Sequence, residues 1–164
     1  MTSLGLAAIV HLSLVVTGAD SYAEAYRVTS ETGRPLVIVI GAEWCPACQV
    51  LEKTVMPVVR DHGGLDKVAY AAIDLDHERE LGTQLTAGGP IPQLLMYRKT
   101  ASGWKVRRII GAYPVATIEA FINEGVAMDE ETKKAEASQA TQPTAPASAS
   151  PRTASQGEPS QTRG

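Results

Sequence analysis

The sequence predicts a three-layer α/β/α domain built around a central mixed sheet of about four strands. Three observations carry this. Segments of helical period alternate with short apolar runs, in the order α, β, α, β, α, β, β, α. The run "PLVIVIGA" is apolar at consecutive positions, the pattern of a strand covered on both faces in a parallel sheet. The last two strands adjoin through a short turn, which makes them a hairpin and the sheet mixed.

Each element has its own signal. Ser21 followed by Glu24 is a capping box, and Gly33 then Pro35 supply a stop, so a helix is expected from about Tyr22 to Thr32. "PLVIVIGA" is the first strand, with five consecutive β-branched or leucine residues. Ala47, Val50, Leu51, Val55, Val58 and Val59 then recur at helical spacing, which implies a helix from about Pro46 to Arg60, kinked by Pro57. "HGGLDK" breaks the chain and "VAYAAIDL" is the second strand. "HERELGTQL" is a short helix ending near "TAGG". "PQLLMYR" and "WKVRRII" are the third and fourth strands, joined by a turn from Thr100 to Gly103. An amphipathic helix, "PVATIEAFINEGVA", starts at Pro114 or Val115 and closes the domain.

Composition divides the chain into three parts. Residues 1–19 carry no Asp, Glu, Lys or Arg, and Leu4 to Val16 is an apolar run followed by the small residues Thr17-Gly18-Ala19. This predicts a signal peptide over 1–19 and an exported, periplasmic protein. The other reading is a buried first element of a cytoplasmic one. The run is short for a membrane span. Residues 20–128 hold every aromatic side chain and form the domain. Residues 129–164 contain no aromatic and no Val, Ile, Leu or Met, so a disordered low-complexity tail is expected there, with "DEETKKAEA" extending the last helix by a turn or two. The net charge of -3 gives no reason to expect nucleic acid as a partner.

The chemistry lies in "GAEWCPACQV", residues 41–50, which holds both cysteines, Cys45 and Cys48. A structural zinc site needs four ligands, and His11, His62 and His77 are not spaced to complete one. A c-type haem needs His directly after the second cysteine, where Gln49 stands. A purely structural disulfide over so small a loop constrains little. A redox-active dithiol fits best. The pair follows a buried strand, and Pro46 suits the first helical turn, which puts Cys45 at the N-cap, facing unpaired backbone N–H groups. That setting favours thiolate at Cys45. Cys48 lies one turn further in, within bonding reach, as the resolving sulfur.

With these residues in view, the sequence resembles the thioredoxin family over about residues 22–127. "AEWCPAC" follows an apolar strand, "AIDLD" ends the next, "PIPQLLMYR" comes some forty residues after the cysteines, and "RRIIGAY" precedes the last helix. The resemblance implies the thioredoxin fold, a Cys45–Cys48 redox disulfide and a cis-proline, Pro92, after Ile91. It also implies a substrate surface of Trp44, Pro46, Ala47, Ile91 and Pro92, where a peptide pairs as an extra strand. The chain departs from cytosolic members at several positions. Val39 stands where they carry an acidic residue and Tyr70 where its lysine partner lies. Pro46-Ala47 replaces Gly-Pro, and Gln93 replaces a threonine after the proline.

The expected function is dithiol–disulfide exchange on disulfide-bearing protein substrates by a monomeric enzyme. It needs no metal or organic cofactor, and a separate thiol reductant or oxidant recharges it. The competing reading is a binding, adaptor or redox-sensing module without turnover, which the missing acidic residue at Val39 favours. The basic set Arg98, Lys99, Lys105, Arg107 and Arg108 is expected to solvate the hairpin edge.

Overall fold

The computed structural model describes residues 20–140. The elements run α1 (Tyr22–Thr32), β1 (Leu36–Gly41), α2 (Pro46–Val50), a π-helical turn (Leu51–Val55), α3 (Met56–Asp61), β2 (Ala69–Asp74), α4 (Arg79–Thr86), β3 (Gln93–Thr100), β4 (Gly103–Ile110) and α5 (Val115–Ala140). The strand order is β2-β1-β3-β4. β1 runs parallel to β2 and antiparallel to β3, and β3 and β4 form the hairpin. This is the thioredoxin fold, with helices on both faces of an open mixed sheet.

The period of two in β1 sorts its side chains between two cores. Val37 and Val39 face one way, onto Leu51, Val55, Met56 and Val59 of the α2–α3 segment and Ile118, Phe121 and Ile122 of α5. Leu36, Ile38 and Ile40 face the other way, onto α1 and α4 through Ala25, Val28, Leu81 and Leu85. All six residues of the strand are buried, which is why no alternation is visible in its sequence.

Local signals set the ends of α1. Ser21 Oγ accepts the Glu24 N–H at 3.3 Å, and Gly33 closes the helix in the left-handed region at φ 70°. The expected single helix from Pro46 to Arg60 is instead three consecutive segments ending at Asp61. Pro57 has no N–H to offer the carbonyl four residues back, and its ring crowds that carbonyl. The chain answers with a widened turn just upstream, where the Met56 N–H reaches Leu51 O.

Two expectations need correction. The domain does not end at residue 128, because α5 continues to Ala140. Asp129 is buried and pairs with Lys133 at 2.7 Å, and Lys133 Nζ also donates to Gly33 O at 2.5 Å. Glu136 accepts the Ala101 N–H at 2.6 Å. The extension is docked by charged groups on backbone atoms, which a count of apolar residues does not register. The rest of the expected tail, 141–164, and the signal-peptide segment, 1–19, lie outside the described residues. The basic set does not simply solvate the hairpin either. Arg98 is buried, Arg107 pairs with Glu124 at 2.9 Å and covers the Phe121 ring, and Arg108 donates to Leu85 O. Of the five, Lys99, Lys105 and Arg108 are exposed. Among the described residues, no helix is long and apolar enough to cross a membrane.

Candidate active site

β1 ends at Gly41, and after the four residues 42–45 the chain enters α2 at Pro46. Cys45 is the N-cap, with extended backbone (φ -97°, ψ 106°), and Pro46 occupies the first turn. The Cys45 N–H donates to Ala42 O, and the Gln49 N–H donates to Cys45 O, each at 3.1 Å. Cys45 and Cys48 form a disulfide with their Cα atoms 5.2 Å apart. The Cys48 N–H donates to Cys45 Sγ at 3.2 Å. This is the helix-terminal donor that would stabilise negative charge on that sulfur once the bond is reduced. Cys45 is 8% exposed and Cys48 1%, so the first sulfur is the more accessible of two sheltered ones.

Ala42, Leu75 and Ile91 pack against the cysteine pair. Ile91 precedes Pro92 through a cis peptide bond, and Pro92 O accepts the Gly111 N–H at 2.8 Å. Pro92 itself is buried at the head of β3, whereas Trp44, Pro46 and Ala47 are exposed around the sulfurs. Trp44, at 68% exposed, is held by one hydrogen bond, Nε1 to Asp76 Oδ1 at 3.1 Å. Asp76 is fixed in turn by its own N–H on Asp74 Oδ1 at 2.7 Å, an Asx turn at the end of β2. Trp44, Leu75, Asp76, Arg79 and Thr83 surround a cleft of about 250 Å³ beside the pair. Asp74 and Asp76 of "AIDLD" thus have a part in the site that the motif resemblance does not assign them. The two acids spaced by one residue at a strand end were the available signal.

Gly41 is the other residue that sequence reasoning missed. A Cβ there would lie 2.9 Å from Cys48 Cβ and 3.5 Å from its sulfur. The strand and the helix start therefore touch at a point that only hydrogen fits. Gly41→Ala is expected to lower stability by about 1–3 kcal/mol through overpacking and to slow closure of the disulfide. Denaturant unfolding and the rate of dithiol oxidation measure the two effects, and a variant unchanged in both would contradict the close approach.

Val39, two residues before Gly41 in β1, is 2% exposed within a hydrophobic cluster. Tyr70 lies on the same face of the sheet, one strand across. Burial above all, with Asp20 second, pushes the Tyr70 hydroxyl well above its usual range, and the Arg60 guanidinium over its ring opposes this. The phenol therefore stays neutral and is no base near neutral pH. Among the described residues, no group of three His, Cys, Asp or Glu is placed to hold a metal ion. His62 instead meets Glu119 at 2.7 Å, and His77 lies 3.7 Å from Asp74.

Comparison with known proteins agrees with this geometry. A family model described as thioredoxin-like matches residues 17–98, half of the chain. No curated protein matches the chain. Among solved structures, a thioredoxin from Thermus thermophilus is similar at a TM-score of 0.55 and 21% identity, over 64% of this chain and 83% of that one. Chloroplastic thioredoxin z is similar at a TM-score of 0.52 and 21% identity, over 65% and 91%. Thioredoxin from Malassezia sympodialis is similar at a TM-score of 0.51 and 22% identity, over 65% and 89%. At these identities the likeness speaks for the fold.

Proposed function

The chain belongs to the thioredoxin-like family, and from that premise we propose that it is a thiol–disulfide oxidoreductase acting on protein substrates through Cys45 and Cys48. The observation that carries this is the Cys45–Cys48 disulfide at a helix start, with the Cys48 N–H on Cys45 Sγ. In the reducing direction, the Cys45 thiolate attacks one sulfur of a substrate disulfide. A mixed disulfide forms, and the other substrate sulfur leaves as thiolate and takes up a proton. Cys48, deprotonated, then attacks Cys45 Sγ, which releases the second substrate thiol and closes the Cys45–Cys48 bond. Two electrons have passed to the substrate, and a thiol partner must return them before the next cycle. Trp44, Pro46 and Ala47 supply the exposed surface that the substrate meets, with half-buried Ile91 at its edge and buried Pro92 shaping the backbone beside the sulfurs. Export rests on the apolar run Leu4–Val16, and sequencing the mature N-terminus from an exporting host tests it.

Insulin reduction with dithiothreitol tests the proposal. Turbidity that develops faster than with dithiothreitol alone, and that needs both cysteines, is the expected result. No acceleration would favour the adaptor reading, for which the apolar surroundings of Val39 speak, since no carboxylate there assists proton transfer to Cys48. In the reduced protein, iodoacetamide should modify Cys45 before Cys48. The midpoint of its pH profile should fall below the value of about 8.5 for a free cysteine. Mass mapping of the alkylated peptide decides the order.

A further inference from the structure

β4 is an edge strand, with a neighbour on one side only. Trp104, Val106, Arg108 and Ile110 alternate along it and so share one face. Val106 stands opposite Tyr97 and Arg108 opposite Leu95, which makes this the face that α1 and α4 cover elsewhere. Those helices pack over β1 and β2 and leave β4 open. Trp104, Val106 and Ile110 are 44%, 52% and 44% exposed, whereas Arg107 and Ile109 on the other face are half-buried.

The exposed stripe has two distinct ends. At one, Ile110 stands opposite Gln93, and the next N–H, of Gly111, donates to Pro92 O at 2.8 Å. The stripe therefore begins beside the cis-proline of the redox site. At the other end, Trp104 joins Tyr22, Tyr26, Leu36, Leu85 and Tyr97 around a groove of about 240 Å³. About 20 Å of extended strand separates the two ends. Two exposed cations flank the apolar positions on the same face: Lys99, opposite Trp104, and Arg108 in mid-stripe.

A free strand edge with an apolar row of side chains offers what an added strand uses: backbone partners along the edge, and contacts for every second side chain. A second copy of β4 would bring its own Lys105, Arg107 and Arg108 against the same basic strand, and like charges across a strand pair oppose it. The stripe is instead continuous with the surface that the substrate meets, and its cations favour neutral or acidic residues between the apolar ones. Both features point to the substrate's own chain.

Resting on the oxidoreductase reading above, we propose that β4 is a docking edge for extended substrates. A segment of about eight or more residues, C-terminal to the substrate cysteine, adds to β4 as an antiparallel strand and anchors a large apolar side chain in the groove at Trp104. The direction follows from β4, which runs toward Pro92, so an antiparallel partner leaves the sulfurs heading for Trp104. Unfolded chains with such a segment are selected over small disulfides.

The test uses the full chain, reduced and freed of reductant, and two synthetic peptides. One is a short cysteine peptide. The other has the same cysteine followed by about twelve residues, alternately apolar and acidic or neutral, enough to span the stripe. Each is supplied as its mixed disulfide with thionitrobenzoate. Cys45 attacks the peptide sulfur, coloured thionitrobenzoate leaves, and Cys48 then displaces the peptide thiol. The long peptide should half-saturate the protein at a concentration about tenfold lower than the short one, with the same limiting rate. Trp104→Ser and Val106→Ser should each erase most of that difference and leave the short-peptide reaction unchanged, which also shows that the variants fold. Equal half-saturation by the two peptides, or a difference that survives both substitutions, would overturn the proposal. So would a half-saturation that rises with protein concentration, which would give the stripe to a second copy of the chain. Release from neither peptide would instead remove the oxidoreductase reading, and the docking edge with it.

Discussion

Cys48→Ala is expected to stop the reaction halfway and leave the protein covalently tied to its substrates. Cys45 can still attack, because its accessibility and the helix-terminal donors around it do not require the second sulfur. The donor on Cys45 Sγ is the backbone N–H of residue 48, which alanine keeps. What is lost is the sulfur whose Cα lies 5.2 Å from that of Cys45. Resolution then needs a thiol from solution, so an intramolecular step becomes bimolecular and slows by on the order of tenfold or more. Covalent complexes should accumulate on non-reducing gels and disappear with dithiothreitol. Cys45→Ala should give almost none, since Cys48 is the more deeply buried sulfur. If Cys48→Ala traps nothing while the native protein still reduces insulin, the two roles are assigned wrongly.

The second large effect is expected at Val39. Asp at this position would bring the carboxylate found in cytosolic relatives into a buried hydrophobic cluster of Val37, Leu51, Val55, Leu94 and their neighbours. A buried, unpaired carboxylate costs several kcal/mol unless it takes a proton. Val39→Asp should therefore lower stability by about 3 kcal/mol or more at neutral pH, near the upper end for single substitutions. The sign of the pH dependence follows from burial. The folded-state pKa is raised above the unfolded value of about 3.9, so the folded protein holds a proton that the unfolded chain has released, and stability falls as pH rises past 4. Val39→Asn should lose stability without that dependence. Urea unfolding of both variants at pH 4 and pH 8 separates the charge from the loss of packing. Equal stability of Val39→Asp and the native protein would mean that residue 39 is not enclosed in the central strand. With both cysteines present, resolution of mixed disulfides should be slightly faster in the Asp variant, read from the lifetime of the transient mixed disulfide after acid quenching.

Sequence alone determined the element order, the N-cap at Ser21, the stop at Gly33, the hairpin and the placement of Cys45 at a helix start. Each is set by neighbours a few residues apart, through periodicity, capping and turn chemistry, so the information is local and readable. The family resemblance added the cis peptide bond before Pro92. Tertiary structure alone decided that Asp76, thirty-two residues from Trp44, holds the indole beside the sulfurs. It also decided that Gly41 leaves room for Cys48, and that Arg98 is buried where a charged edge was expected. The sequence also pointed to a helix running on through "DEETKKAEA", but only the structure shows that this stretch is docked, with Lys133 reaching Gly33 O, a hundred residues away. Such contacts join positions that no period relates, and they use charged side chains that composition assigns to solvent. They exist only once the sheet has brought distant strand and helix ends together.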